Sequence, residues 1–377
     1  MIERNKYKLL FVSLLILGKD TAYRNLRSTI SDMDDVESTW LGIEMDPSEL
    51  ITRIPPISMS HSLKYGSVAR LRVRALERSG KTFDAAFFNH ILVTPLLKKF
   101  RKRVPSIDAM DVTPASLLRD GQPYYESPRS GGGFTSREIK RILAKSVFKT
   151  AQHLLPQSEY TRESLLRDYG IAVEKTTVLA PGVNLEMWQG RPTGDTLRKE
   201  NKSLNVLFVG GNFLRKGGDI VLRIAAREEY RNWQFHFVTK DDANIVLPNV
   251  TFHKNIAPNS NELRYLYQNA DVFVLPTHAD FAPTNSICEA MAMGLPVIST
   301  SVGGIQENVI DGKTGFIVPI NGVEILEQRL LTLYHNTDFR MQMGRNARIL
   351  AETKFDNAIN ARAIVELMKK GINKNYI

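Results

Sequence analysis

The chain has 377 residues, 43% hydrophobic and 24% charged, a globular composition that excludes a disordered or fibrous protein and, at this length, suits two domains. The net charge of +10, with its excess in the N-terminal half, suits a phosphorylated substrate, an anionic lipid surface or nucleic acid; without zinc-finger spacing or an RNA-binding aromatic motif, nucleic acid is not expected as a partner. The single cysteine, Cys288, excludes an internal disulfide and fits a reducing, cytoplasmic setting.

No apolar run reaches the roughly 18–20 residues of a membrane helix. The longest, Leu9 to Gly18, follows Arg4, Lys6 and Lys8 and has the make-up of a signal-peptide core. No small-residue cleavage site follows, and Gly18 ends the run where a strand-to-helix loop would begin, so it reads as a first buried strand. Residues 22–30 then read as helix and 38–44 as strand. After a Pro- and Ser-rich loop at 47–61 comes a helix closed by Gly80, then the strand Phe83 to His90, running into a helix at 91–103. The stretch VPSIDAMDVTP is a strand ending in Asp111 and a Pro turn, Gly131 to Gly133 mark a loop, and EIKRILAKSVFKTA is a long helix before the strand HLLPQS. This βαβα order implies a parallel sheet covered on both faces. The polar stretch from Gly190 to Ser203 marks a boundary, after which the alternation restarts with NVLFVGG and ends in a helical tail from Glu324.

The expected architecture is α/β: two Rossmann-like, doubly wound lobes facing across a cleft. Residues 1–190 form the first and 200–355 the second, with 356–377 a helix crossing back to the first. In open α/β sheets ligands bind beyond the carboxyl ends of the strands. Two basic clusters stand in the first lobe: Arg70, Arg72, Arg74 and Arg78, and Lys98, Lys99, Arg101, Lys102 and Arg103. Both suit a solvated face. The second, interleaved with Leu96, Leu97 and Phe100, also has the composition of a membrane-surface helix.

Two segments carry chemistry. In the first, a strand runs into Gly210 and Gly211, then Arg215, Lys216 and a helix. Glycines let backbone amides approach a phosphate, a helix N-terminus favours an anion, and the cations neutralise a diphosphate. By itself this is equally an ordinary strand-to-helix loop. In the second, residues 272–304, the loop of Thr284, Asn285 and Ser286 opens a helix and suits phosphate oxygens. Glu289, a turn further on, can accept hydrogen bonds from two vicinal ribose hydroxyls, or can be a solvated helix glutamate.

Together, the G-G…R-K-G loop, EAMAMGLPVIST and VGGIQENVIDGKTGFIVP resemble the C-terminal domain of glycosyltransferase family 4, retaining nucleotide-sugar enzymes of the GT-B fold. The segments at 158–188 and 104–114 add to the likeness, which covers most of residues 100–320. The resemblance implies that Lys216, with Arg215, holds the donor diphosphate and stabilises its charge as it leaves. Glu289 would hold the ribose, and Thr284, Asn285 and Ser286 the phosphates and sugar. Gly18 would face the diphosphate, and Thr239, Lys240, Asn255 and Ile256 would flank the base.

Two departures stand out. The family's first motif glutamate falls on Phe281, leaving Asp280 as the nearby acid to reach the sugar hydroxyls. The family's histidine before the strand-end aspartate falls on Met110, leaving Asp111 to face the acceptor or the reacting sugar, or to cap the next turn. His90, His236, His253 and His278 lack metal-ligand spacing, and the fold implies no bound metal and no cofactor. Asp32 and Asp34 lie at the wrong end of the sheet for a donor site and read as solvated.

The expectation is transfer of a hexosyl group from a UDP- or GDP-sugar to a hydroxyl of a glycan or lipid-linked acceptor, with retention, in surface polysaccharide or glycolipid synthesis. The setting is the cytoplasm, with peripheral contact at the inner membrane face. The alternatives are a non-catalytic nucleotide-sugar-binding scaffold and a sugar-nucleotide epimerase on the same fold. The oligomeric state is not legible.

Overall fold

The computed structural model describes residues 6–15, 18–44, 50–54, 57, 61–120, 134–190, 203–241 and 245–374. The Gly131–Gly133 loop, the polar stretch at 191–202 and most of the 47–60 loop lie outside them. The chain divides into two compact units, Met1–Ala180 with Asn357–Ile377, and Pro181–Asp356.

The first unit runs β1 (Tyr7–Leu14), α1 (Gly18–Ile30), β2 (Val36–Ile43), α2 (His61–Arg78), β3 (Ala85–Asn89), α3 (Lys98–Arg101), β4 (Ser106–Met110), α4 (Pro114–Asp120), α5 (Phe134–Thr150), β5 (His153–Pro156) and α6 (Glu159–Tyr169). Its five strands are parallel in the order β2-β1-β3-β4-β5. The run that shares features with a signal-peptide core is thus the interior strand β1. Its alternate side chains feed two cores, as the two-residue strand period requires. Leu9 and Phe11 pack with Leu26, Ile364 and Met368, whereas Leu10, Val12 and Leu14 pack with Val68, Phe88 and Phe100.

The helix expected at 91–103 is instead a 3-10 turn at Ile91–Val93 and the four-residue α3, with Pro95 between them. Proline has no N–H to continue a helix, and its ring crowds the preceding turn. The basic cluster there is also not one solvated face. Arg101 is buried, and its Nη2 lies 2.6 Å from Asp108 Oδ2 while Phe100 enters the core. Among the described residues, no helix is long and apolar enough to cross a membrane.

The second unit runs β6 (Asn205–Val209), α7 (Gly218–Ala225), β7 (Gln234–Val238), β8 (Val250–His253), α8 (Asn261–Asn269), β9 (Val272–Leu275), α9 (Asn285–Ala292), β10 (Val297–Thr300), β11 (Gly315–Val318), α10 (Val323–His335) and α11 (Thr337–Lys354). Its parallel sheet has the order β11-β10-β9-β6-β7-β8. Strand β8 escaped the sequence reading because it is a short, half-exposed edge with no apolar run. The last helix, α12 (Asn357–Lys374), belongs to the first unit: Asn357 Nδ2 donates to the Asn25 carbonyl at 2.7 Å, and Lys369 Nζ to Asp35 at 2.6 Å.

Composition puts the boundary after residue 190, but Pro181–Gly190 pack into the second unit. Trp188 is fully buried, meets Tyr267 edge-on at 5.2 Å and donates from Nε1 to Asn259 at 3.1 Å. The Val183 N–H also donates to the Phe355 carbonyl at 2.7 Å.

Each sheet reverses its winding once. In the first unit the chain goes from β1 outward to β2 and then returns to β3 on the other side of β1. In the second it goes from β6 through β7 to β8 and returns to β9 beside β6. The loops after the two strands at such a reversal diverge and leave a crevice at their carboxyl ends.

Candidate functional site

In the second unit the winding reversal puts the candidate site at the loops after β6 and β9. The first loop is anchored from below. Phe213 is buried against the rings of Phe208, Phe237 and Phe252, and its N–H donates to Asp241 at 2.6 Å. With Phe213 held, Arg215 and Lys216 follow in a turn whose backbone N–H groups bond to Asn212. Gly217 closes the turn at φ +75°, and a Cβ there would lie 2.2 Å from the Pro276 carbonyl oxygen. Only glycine meets both demands. The second loop returns the contact, the His278 N–H donating to the Arg215 carbonyl at 2.9 Å.

These interlocked loops bring Arg215, Lys216 and Asp280 together. Lys216 Nζ lies 2.9 and 2.8 Å from the two Asp280 oxygens, and Arg215 Nη1 lies 3.2 Å from Oδ1. Thr277 Oγ1 donates to Asp280 at 2.7 Å. Burial lowers the Lys216 pKa, and the Asp280 carboxylate opposes that shift. The cluster holds two cations against one carboxylate, a surplus of positive charge out of bulk water, where an anion is bound most strongly. Phe281, at the place of the family's first glutamate, is buried, and its neighbour Asp280 carries the acid. Gly303 is left-handed, φ +53°, and a Cβ there would lie 2.3 Å from the Asp280 carbonyl oxygen.

Beside the cluster, Thr284 caps α9, its hydroxyl accepting from the Ile287 N–H and lying 3.0 Å from Ser286 Oγ. Asn285 and Ser286 stand half-buried on the first turn. Glu289 is a turn deeper and is not a solvated helix glutamate: it is 6% exposed. Burial raises its pKa to about 7, the Tyr267 hydroxyl at 3.1 Å pulling it back. Gly210 and Gly211 follow β6, Thr239 and Lys240 follow β7, and Asn255 and Ile256 follow β8, so all lie at the carboxyl edge of this sheet. Tyr267 was not singled out by the sequence reading. Its ring period on α8 marks it as core, and only the fold turns its hydroxyl towards Glu289.

In the first unit Gly18 is the exposed first residue of α1. Asp111 follows β4 and pairs with Lys19 at 3.3 Å. Asp32 and Asp34 are exposed between α1 and β2, at the opposite edge of the sheet. His236 and His253 face each other across β7 and β8 at 3.1 Å, a contact that separation in sequence concealed. Among the described residues no three His, Cys, Asp or Glu side chains are gathered as metal ligands would be.

Two parallel-sheet Rossmann-like domains are the GT-B class of fold. Residues 203–336, within the second unit, match the family model described as glycosyl transferases group 1. The chain is 28% identical over 248 residues to a D-inositol 3-phosphate glycosyltransferase of Corynebacterium diphtheriae, covering 57% of this chain and 56% of the relative. It is 36% identical over 112 residues to the capsular polysaccharide biosynthesis glycosyltransferase CapM of Staphylococcus aureus, covering 30% of this chain and 28% of the relative. The chain thus spans about half the length, or less, of these curated relatives. Among solved structures, a sucrose-phosphate synthase from Thermosynechococcus elongatus superposes with a TM-score of 0.76 at 17% identity, covering 97% of this chain and 99% of that one. An Anabaena protein, HepE, in complex with UDP, superposes at 0.67 with 15% identity, covering 97% and 100%.

Proposed function

We propose that this protein is a glycosyltransferase that takes a hexosyl group from a UDP- or GDP-sugar and passes it, with retention, to a hydroxyl of a glycan or lipid-linked acceptor in polysaccharide or glycoconjugate synthesis. The observation that carries the reading is the convergence of Arg215 and Lys216 at the winding reversal of a domain that matches a glycosyltransferase family. The UDP bound to HepE and the polysaccharide role in CapM's name support the donor and the pathway class.

In this reading Gly210, whose N–H is held by the Val238 carbonyl at 2.9 Å, shapes the loop, while the exposed Gly211 and the N-terminus of α9 receive the diphosphate, with Thr284, Asn285 and Ser286 on its oxygens. Lys216 and Arg215 turn from Asp280 alone to the phosphates. Glu289 accepts the ribose hydroxyls while Tyr267 fixes its orientation. As the bond from the anomeric carbon to the phosphate oxygen breaks, the two cations stabilise the charge on the departing diphosphate. The acceptor oxygen bonds to the anomeric carbon on the same face, and its proton passes to the leaving phosphate, so no protein base is required. Asp280 is the acid nearest the sugar hydroxyls, and Asp111 serves the acceptor in the first unit. No metal or cofactor takes part. The setting is cytoplasmic, with the exposed Lys98, Lys99, Lys102 and Arg103 meeting an anionic membrane face.

Thermal-shift measurement with UDP, GDP, ADP and their sugars tests the reading, since a ligand of the native state raises its stability by mass action. Stabilisation by one nucleoside diphosphate, lost with Lys216→Met, is expected. No stabilisation by any of them would overturn the donor site. Turnover of a donor without any acceptor, to an epimer, would replace transfer by epimerisation.

A further inference from the structure

Strand β8 is an edge of the second sheet and pairs in parallel with β7, setting Val238 beside His253 and His236 beside Thr251. Side chains alternate along a strand, so His236 and His253 stand on one face as diagonal neighbours, a spacing that rings can bridge. The opposite face of the same two strands carries Phe237 and Phe252, stacked at 5.1 Å.

The two imidazoles meet nitrogen to nitrogen. His236 Nδ1 lies 3.1 Å from His253 Nε2, with the ring centroids 5.3 Å apart and the rings inclined by 36°. One of these nitrogens carries the proton of the hydrogen bond and the other presents its lone pair. Two nitrogens on one tetrahedral zinc ion, each at about 2.0–2.1 Å, stand ~3.3 Å apart. The observed separation is close to that, so chelation needs the rings to tilt until both lone pairs point at one ion, with the strands left in place. Burial lowers the pKa of both rings, so both are neutral, the form that binds a metal ion. Both are also only half-buried, which leaves a side open to water. The charge of Glu262, on the first turn of α8, acts on His253 in the sense that favours a cation.

We propose that His236 and His253 form a site for one divalent transition-metal ion of the zinc type, bound through His236 Nδ1 and His253 Nε2, with water completing its shell. On binding, the ring that donated the shared proton carries it on its other nitrogen instead, so both imidazoles stay neutral and no proton is released. Imidazole suits zinc, copper and nickel, whereas magnesium and calcium take oxygen ligands. The ion is structural: it clamps the four-residue edge strand β8 to β7, just before Asn255 and Ile256 leave the sheet. It stands apart from the transfer chemistry, and its binding does not require the glycosyl-transfer reading.

The test is metal binding by the full-length chain, free of any histidine tag and stripped with a chelator, then titrated with Zn2+ or Mg2+ and followed by equilibrium dialysis and thermal shift. The wild type is expected to take up Zn2+ saturably and to melt higher with it, by mass action on the native state, with no such response to Mg2+. His236→Gln and His253→Gln should each weaken Zn2+ binding by about tenfold or more, since even a group behind a metal ligand is worth that much. The double variant should lose little beyond either single one, because a lone imidazole is no chelate, whereas independent sites add their losses. Both side chains are half-buried, so the variants are expected to fold; if one does not, the other single variant decides. No saturable Zn2+ uptake up to about 1 mM, an equal response to Mg2+, unweakened binding in either variant, or losses that add, would overturn the site.

Discussion

Lys216→Met isolates the ammonium from the stem that carries it. Met keeps the aliphatic contact beside Gly210, where a Cβ would sit 3.0 Å from the Lys216 stem. It also leaves Asp280 with Arg215 at 3.2 Å and Thr277 at 2.7 Å, so the unliganded loop retains two of its three ties. What is lost is one charged contact in a buried setting. Truncating one member of such a pair costs about 2–5 kcal/mol. Because Lys216 already holds Asp280 in the free protein, its gain on binding phosphate is a difference between two strong contacts. The lower part of that range applies, about 2–3 kcal/mol, or ~30–150-fold in Kd at about 1.4 kcal/mol per tenfold. With nucleoside diphosphate at ~100 times the wild-type Kd, the wild type gains about 2.7 kcal/mol of stability. After a hundredfold loss of affinity, ligand and Kd are equal and the gain falls to about 0.4 kcal/mol. Thermal shift at that single concentration reads the difference directly. A variant that kept the whole wild-type shift would refute the assignment of Lys216 to the diphosphate.

Asp280→Asn removes the carboxylate that both cations share, so the unliganded protein is expected to lose about 3 kcal/mol, as when a buried pair loses one partner. Added nucleoside diphosphate should then produce a larger shift than in the wild type, because the anion restores the missing charge; a smaller shift would show that Asp280 does not compete with phosphate. Glu289, raised by burial from its ordinary 4.5 to about 7, binds more protons folded than unfolded between those values. Stability from this group therefore falls as pH rises from about 4.5 to 7 and levels off above, and Glu289→Gln should flatten the melting temperature across that window; an unchanged slope would count against it. If ribose hydroxyls bond the carboxylate, nucleotide binding near pH 6.5 should release protons, visible as a buffer-dependent calorimetric heat, and equal heats in buffers of different ionisation enthalpy would argue against that contact. Gly217→Ala should cost about 2–4 kcal/mol in denaturant unfolding, since it combines left-handed backbone strain with a clash against Pro276; a loss below about 0.5 kcal/mol would mean the loops are not interlocked.

The sequence by itself determined the architecture and most of the loop that carries Arg215 and Lys216. Buried parallel strands write continuous apolar runs such as LLFVSLL and VFVL, and the glycines and cations between strand and helix are consecutive residues, so their chemistry is local and legible. It also marked Asp111, Lys216 and Glu289 as residues of interest. Short edge strands, as at β8, write no such run, and the four-residue α3 hides behind a basic, apolar pattern that suits a longer helix. Tertiary structure alone decided that Arg101 is an internal partner of Asp108 and that Trp188 belongs with the second unit. It also set Glu289 under the Tyr267 hydroxyl and Asp280 across Lys216 and Arg215. The reason is the same in each case: charge, burial and hydrogen bonding depend on distance in space. Arg101 and Asp108 are seven residues apart and separated by a turn, and the other partners lie some 20 residues apart or more along the chain, so they meet only once the sheet and its helices are in place.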